Sequence, residues 1–445
     1  MLSASLRRLA AGFLLLLPVA AGAAKRQPIA VAAPVSAGAL VDNVTGLTLD
    51  TDGRVVRFTG LLMTADGHVV RLLAAGEKRP ERLDWRADMK GRVLLPGFVD
   101  GEGHVMDLGF RALELDLSAA TSLADAQARI AAYAAANADR NWVIGAGWNQ
   151  EQLGRAPTAA DLAGIAPDRP IVLDRADGHA VWLNEAAMKA MGITAATPAP
   201  ASGRILRGPG NAPTGVFVDA ARDMVLRMVP QPRAADRDNA FLKAQAMLLA
   251  NGVTAVADLS TRLPDWLTFR RIADQGGLRL RIASYADSIE TANLTAGKGP
   301  SPWLYGDRLK LIGVAMVADG SLGARGACLK AAYADAPRES GQCIAGDRLR
   351  NLMSRAAMDG FQVAVDATGD RANDEVLGAV EELSETYTGD RRWRIEHAQI
   401  VTAGDLPRFG RHGIIASMQP ADVASDVQDS GLQVYLEIDR DAAGQ

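Results

Sequence analysis

The sequence predicts an α/β protein built around a (β/α) barrel of the TIM type, and three observations carry that reading. From about residue 230 onward, apolar stripes at helical spacing alternate with short β-branched runs, which implies parallel strands joined by helical crossovers. The chain has 445 residues, enough for a large barrel with elaborations or for two or three domains. A β-rich stretch, 36–95, precedes the alternating region. A doubly wound sheet is the competing arrangement of the same units.

The first residues are expected to lie outside the fold. Arg7 and Arg8 precede an apolar run from Leu9 to Ala20, and Ala21-Gly22-Ala23 supplies small residues of the kind that signal peptidase prefers. The run is too short to span a bilayer. Residues 1–23 therefore read as a cleaved signal peptide, with an uncleaved anchor as the alternative, and the mature chain is expected to be periplasmic or secreted without a stable membrane span.

Within 36–95, Val55-Val56-Arg57-Phe58 and Val69 to Leu73 are short β runs, and Asp66-Gly67 between them is a hairpin signal. A small antiparallel sheet is expected there. Residues 105–250 are less regular. Ser122 and Asp125 resemble a capping box that opens an Ala-rich helix through Asn137, while Trp142 to Trp148 and Ile171 to Asp174 read as strands. The stretch is long for one crossover and is expected to contain an inserted subdomain.

The repeating units follow. Phe241, Ala244, Met247 and Leu248 share a helical face that ends at Asn251-Gly252, and Val253 to Ala257 reads as a buried strand. Leu349, Leu352, Met353 and Ala356 form another face, Gly360 stops it, and Phe361 to Ala367 is a strand. Val376, Leu377, Val380 and Leu383 precede the strand Trp393 to Ala398, and Ile414 to Met418 comes after a short helix near Leu406.

Composition narrows the function classes. Apolar residues make up 48% and charged residues 22%, as in an ordinary globular enzyme, and a net charge of −4 without a basic stripe argues against a nucleic-acid partner. The two cysteines, Cys328 and Cys343, read either as separate buried thiols or, in an oxidising compartment, as a disulfide.

In a parallel barrel, reactive groups collect where the βα loops converge, just past the C-terminal ends of the strands. Reading each strand end in turn gives Glu102, His104, Asp319, Asp366 and His397. Imidazoles and carboxylates are the ligands that zinc, iron or manganese use. His68, in a turn, and His412, before a glycine, read as surface residues.

The segment Leu95-Pro96-Gly97-Phe98-Val99-Asp100-Gly101-Glu102-Gly103-His104 resembles the signature of the amidohydrolase superfamily at the end of its first barrel strand. Gly147 to Gln150, Arg175 to Asn184, Pro213 to Val216, Ala318 to Arg325 and Arg394 to Gln399 resemble amidohydrolase family 3, which includes N-substituted formamide deformylases. The resemblance runs from residue 40 to about 427. It implies a small β-sandwich subdomain over 36–95 and a metal-dependent (β/α)₈ hydrolase barrel over 96–427. Such a barrel holds a divalent zinc, manganese or iron ion with a His-x-His pair, a Lys, two further His and a late Asp. The implied chemistry is metal-assisted hydrolysis, the ion activating water and the Asp moving the proton.

Several positions depart from that pattern. Glu102 stands for the first His, Ala315 for the Lys, Asp366 for a later His, and Asp422 where another His is common. Glu102, His104, Asp366 and His397 are then the candidate metal ligands. Asp422, with Asp319, is a candidate base, and Trp148, Asn149 and His179 are candidate substrate contacts. The last barrel strand with its catalytic Asp is not matched, and 428–445 reads as an atypical tail, so the barrel is expected to be incomplete at its last strand. The family implies hydrolysis of non-peptide C–N bonds of small amide or formamide substrates. The alternatives are a catalytically inactive or truncated homologue and a periplasmic small-molecule binder.

Overall fold

The computed structural model describes residues 38–420 except 177, 179, 201, 202, 323, 324, 335 and 345. The expected signal peptide, the tail, His179 and Asp422 lie outside the described residues. The chain divides into two compact units, 1–96 and 97–445.

The first unit is a five-stranded sheet of β1 (Ala39–Leu49), β2 (Val55–Met63), β3 (Val69–Leu73), β4 (Trp85–Asp88) and β5 (Val93–Leu94). The β2–β3 hairpin turns at Asp66-Gly67, where Gly67 adopts φ 90°, a conformation that costs glycine little. The sheet is mixed rather than wholly antiparallel: β4 and β5 both pair parallel to β1. The return is held by Asp42 of β1, whose carboxylate accepts from Arg79 Nε at 3.0 Å and Arg86 Nη2 at 2.5 Å. Leu40, Leu62 and Leu73 fill the core of this unit.

The second unit begins with β6 (Phe98–Gly103) and α1 (Val105–Leu113). The chain then leaves the barrel for an insertion made of β7 (Leu115–Asp116), α2 (Leu123–Ala136), β8 (Val143–Trp148), α3 (Gln150–Leu153), β9 (Ile171–Arg175), β10 (Ala180–Leu183), α4 (Glu185–Ala190), β11 (Gly203–Arg207), β12 (Pro213–Asp219) and α5 (Ala220–Leu226). Its sheet runs β11-β12-β10-β9-β8-β7. Ser122 caps α2 as its sequence suggests, accepting from the Asp125 amide at 3.1 Å.

The barrel resumes with α6 (Ala234–Ala250), β13 (Val253–Thr261), α7 (Leu263–Asp274), β14 (Arg281–Ala286), α8 (Ile289–Ala296), β15 (Leu309–Val317), α9 (Gly346–Met358), β16 (Gln362–Ala367), α10 (Asp370–Ser384), β17 (Arg394–His397), α11 (Leu406–His412) and β18 (Ile415–Ser417). The inserted part is thus narrower than 105–250, because α1 and α6 pack with the barrel: Val105, Met106, Phe241 and Ala244 all belong to its core. Gly109 permits this packing, since a Cβ there would lie 2.1 Å from the Ala240 carbonyl oxygen.

The seven parallel strands follow in strict sequence order, β6-β13-β14-β15-β16-β17-β18. A doubly wound sheet needs a reversal of strand order, and there is none here. The sheet curls until Arg394 of β17 reaches β6, its Nη2 donating to the Gly101 carbonyl at 2.6 Å. Among the described residues β6 and β18 share no backbone pairing, and Phe98 and Val99 are 63% and 72% exposed along β6. Ala257, Leu259, Tyr285, Ala315 and Ala364 form an apolar layer of their own on these strands.

Cys328 and Cys343 form a disulfide, with Cα atoms 5.3 Å apart, across the long loop between β15 and α9. In the chain-entropy account, closing a loop of this length contributes roughly 3 kcal/mol. Reduction of the folded protein is therefore expected to lower its urea midpoint by an amount equivalent to roughly that stability, read against a Cys328→Ser/Cys343→Ser variant that dithiothreitol leaves unchanged.

Candidate active site

The polar groups gather at the C-terminal ends of the strands. Glu102 closes β6, with its side chain only 6% exposed, and the imidazoles of His104 and His397 flank it. The Glu102 Oε1 atom lies 3.9 Å from His104 Nε2 and 3.6 Å from His397 Nε2. The other oxygen accepts a hydrogen bond from Gln419 Nε2, just beyond β18. Three strands of the barrel, β6, β17 and β18, thus meet at one carboxylate.

Each imidazole is aimed by its backbone. His104 is the residue before α1, and its Nδ1 lies 3.1 Å from the Leu259 carbonyl. A carbonyl can only accept, so Nδ1 donates to it and Nε2 is the nitrogen that faces Glu102. His104 gives α1 no side-chain cap; Asp258 of β13 does so instead, accepting from the Val105 amide at 2.8 Å and from Thr261 Oγ1 at 2.5 Å. His397 is turned by strain. Arg394 and Glu396 face the barrel interior, so strand alternation would send His397 outward. His397 and Ala398 instead adopt φ 66° and 43°, a left-handed pair that brings the ring to Glu102.

Asp366, at the end of β16, joins this group. Burial, reinforced by the negative charges of Glu102 and Glu396, pushes its carboxyl up to about 6, while the two histidines oppose the shift. Burial likewise pushes Asp258 up to about 6. An acid whose pKa is higher folded than unfolded binds its proton more readily in the folded state, so its contribution is lost as pH rises from below 4 to above 6. Asp258→Asn, which can still accept from Val105, is expected to flatten the stability profile across that window by about 3 kcal/mol. Urea titrations at intervals between pH 3.5 and 7 would show whether the slope persists.

The four proposed ligands are brought together, but they are not arranged as a coordination sphere. Among the described residues no three His, Cys, Asp or Glu side chains are placed to hold one metal ion. The described residues define no coordination geometry for a zinc, manganese or iron ion, and no chemical step is assigned to one. Ala315, at the position of the expected Lys, is a buried residue of β15 beside Ala364 and offers no ligand.

Other expected site residues are engaged in structural contacts, Asp319 first among them. Its carboxylate accepts from the amides of Thr368 at 2.9 Å, Cys328 at 2.8 Å and Gly369 at 2.8 Å, which occupies both oxygens. The Trp148 indole is 1% exposed in the core of the insertion, donates to the Leu173 carbonyl at 2.8 Å and meets Trp182 edge-on. Asn149 is the cap of α3, accepting from the Glu151 amide at 2.8 Å. Three residues that the sequence reading passed over matter here: Gln419, and the Arg394–Glu396 pair beneath the imidazoles. The pair has a sequence signal, since an Arg and a Glu two apart on a strand share a face.

A sequentially wound parallel barrel with carboxylates and imidazoles at its C-terminal mouth is the frame of a hydrolase of the metal-dependent class. The comparisons with known proteins agree. The profile of the amidohydrolase family matches residues 87–436, and the chain belongs to that family. It is 33% identical over 365 residues to the Protein LONG AFTER FAR-RED 3 of Arabidopsis thaliana, covering 76% of this chain and 60% of that protein. It is 32% identical over 352 residues to the putative amidohydrolase YtcJ of Bacillus subtilis, covering 76% and 64%. Likeness to the N-substituted formamide deformylase of Arthrobacter pascens is 25% over 356 residues, covering 74% and 62%. The chain thus spans less than two thirds of the length of these relatives. An uncharacterised metal-dependent hydrolase from Pyrococcus furiosus superposes with a TM-score of 0.72 at 26% identity, covering 89% of this chain and 80% of that one. Among the described residues no helix is long and apolar enough to cross a membrane.

Proposed function

We propose that this chain hydrolyses non-peptide C–N bonds of small amide or formamide substrates, with Glu102, His104, His397 and Asp366 as its reacting groups. The observation that supports this reading most is the placement of a buried carboxylate behind two solvent-reachable imidazoles, whose side chains are 46% and 27% exposed. A carboxylate so placed orients an imidazole and stabilises its protonated form, and the imidazole takes the proton from an attacking water. The second imidazole can deliver a proton to the leaving nitrogen. The disulfide supports a further part of the proposal, that the protein works in an oxidising compartment such as the periplasm.

The test is amine release from a panel of N-substituted formamides by the purified chain, with metal content determined by elemental analysis after dialysis against a weak chelator. Turnover that falls about a hundredfold or more in both Glu102→Gln and His397→Ala supports the assignment. A folded protein without turnover would favour the second reading, a non-catalytic homologue that binds small molecules. That reading draws on the alanine at 315 and the absence of a three-ligand cluster among the described residues. Thermal stabilisation by the amides without their cleavage would be its signature.

A further inference from the structure

A second cavity, of about 260 Å³, lies at the opposite end of α1 from His104, where that helix ends beside the start of α6 and the first residues of β8. Nine residues of helix separate it from the imidazole, a span of about 13 Å at the usual rise. Phe110, Trp142, Ile144 and Pro230 give it apolar walls. Four charged residues line the same space: Glu114, Arg140 and the ion pair of Arg233 with Asp236.

Glu114 and Arg140 attract each other through space but form no direct ion pair among the described residues. Glu114 makes no ion pair and no side-chain hydrogen bond among the described residues, although burial raises its carboxyl above the ordinary range. Arg140 uses Nη1 for weak bonds to the Leu113 carbonyl at 3.4 Å and Tyr133 Oη at 3.3 Å, which leaves most of its guanidinium donors uncommitted among the described residues. Two partly desolvated charges that share an apolar cavity without bonding each other gain from a ligand that brings the complement of both. The carbonyl end of α1 favours a cation near Glu114, whereas the amide end of α6 is already capped by Asp236, which accepts from the Arg233 amide at 3.0 Å.

We propose that this cavity binds a small zwitterion with an apolar side chain, of the α-amino acid class, its ammonium on Glu114, its carboxylate on Arg140 and its side chain against Trp142. The site is separate from the barrel mouth and does not depend on the hydrolytic reading.

Titration calorimetry of the full chain with L-phenylalanine tests it, with 2-phenylethylamine and 3-phenylpropanoate as probes lacking one charge each. Phenylalanine is expected to bind, and each truncated probe to bind about tenfold more weakly or worse. Glu114→Gln and Arg140→Gln should each weaken phenylalanine by about the same factor, with Glu102→Gln without effect. Glu114 lies outside the helix and has no ion pair or side-chain hydrogen bond to lose among the described residues, so its variant remains informative if the Arg140 variant does not fold. No binding at millimolar phenylalanine, binding unchanged in Glu114→Gln, or binding lost in Glu102→Gln would each overturn the proposal. The last would place the ligand in the barrel mouth.

Discussion

Replacing Asp319 with alanine is expected to cost about 3–5 kcal/mol of stability, enough to unfold much of the population of a marginal barrel. The carboxylate is 7% exposed and serves as acceptor for three backbone amides from two separate segments: Cys328 in the disulfide loop, and Thr368 and Gly369 at the turn from β16 into α10. Alanine leaves all three donors without an acceptor in a place water does not reach, and each such orphan costs roughly 1–3 kcal/mol before relaxation. Relaxation is restricted, because Gly369 sits so close to Cys328 that a Cβ would lie 2.1 Å from its carbonyl oxygen. Asp319→Asn keeps the shape but replaces one acceptor oxygen by a donor, so it should fall between wild type and alanine. Urea unfolding of the three proteins gives the ranking. Hydrogen exchange at the Cys328, Thr368 and Gly369 amides then locates it: these amides should lose protection first. A loss below about 1 kcal/mol in Asp319→Ala would mean that the loop finds other acceptors and that Asp319 is not the hub described here.

Asp319 also shows where sequence reasoning reaches its limit. In the sequence it is indistinguishable from Asp366: each is an acid at the end of a buried barrel strand. Only the three amides pointing at one, and the histidines and carboxylates around the other, separate a structural anion from a member of the site. The barrel itself was legible, because period-3.6 stripes and β-branched runs alternate after residue 230 and several strand ends carry carboxylates or imidazoles. Glu102, His104, Asp366 and His397 could be grouped for that reason. The left-handed backbone that turns His397 inward was not legible, since neither His nor Ala announces φ above zero. The structural contacts of Trp148 and Asn149 were not legible for a related reason: a motif records that residues recur together and not whether they face a ligand or the core. The mixed direction of the first sheet depended on a carboxylate shared by two arginines, a contact between residues about 40 positions apart that no local pattern encodes.

The Arg394–Glu396 pair is where the second large effect is expected. Glu396 is fully buried, and Arg394 satisfies it through two nitrogens while also donating to the Gly101 carbonyl at 2.6 Å and to Ser417 Oγ at 2.7 Å. One guanidinium therefore ties β17 to β18 on one side and to β6 on the other, across the place where the two edge strands share no backbone pairing. Arg394→Met leaves a carboxylate buried without a partner and is expected to cost about 3–5 kcal/mol, far more than the loss of an exposed ion pair. The origin of that cost can be tested by removing the orphan as well. If an uncompensated charge dominates, Arg394→Met/Glu396→Leu should recover a large part of the stability, as replacing both members of a buried pair by apolar groups often does. If the link between β17 and β6 dominates, the double variant should stay as unstable as the single one, and Arg394→Lys, which keeps the charge but not the fork, should be nearly as damaging. The two outcomes differ in what they say about the mouth of the barrel. In the first the pair is an electrostatic platform beneath Glu102 and the imidazoles. In the second it is the clasp that holds β6, and with it Glu102 and His104, within reach of His397.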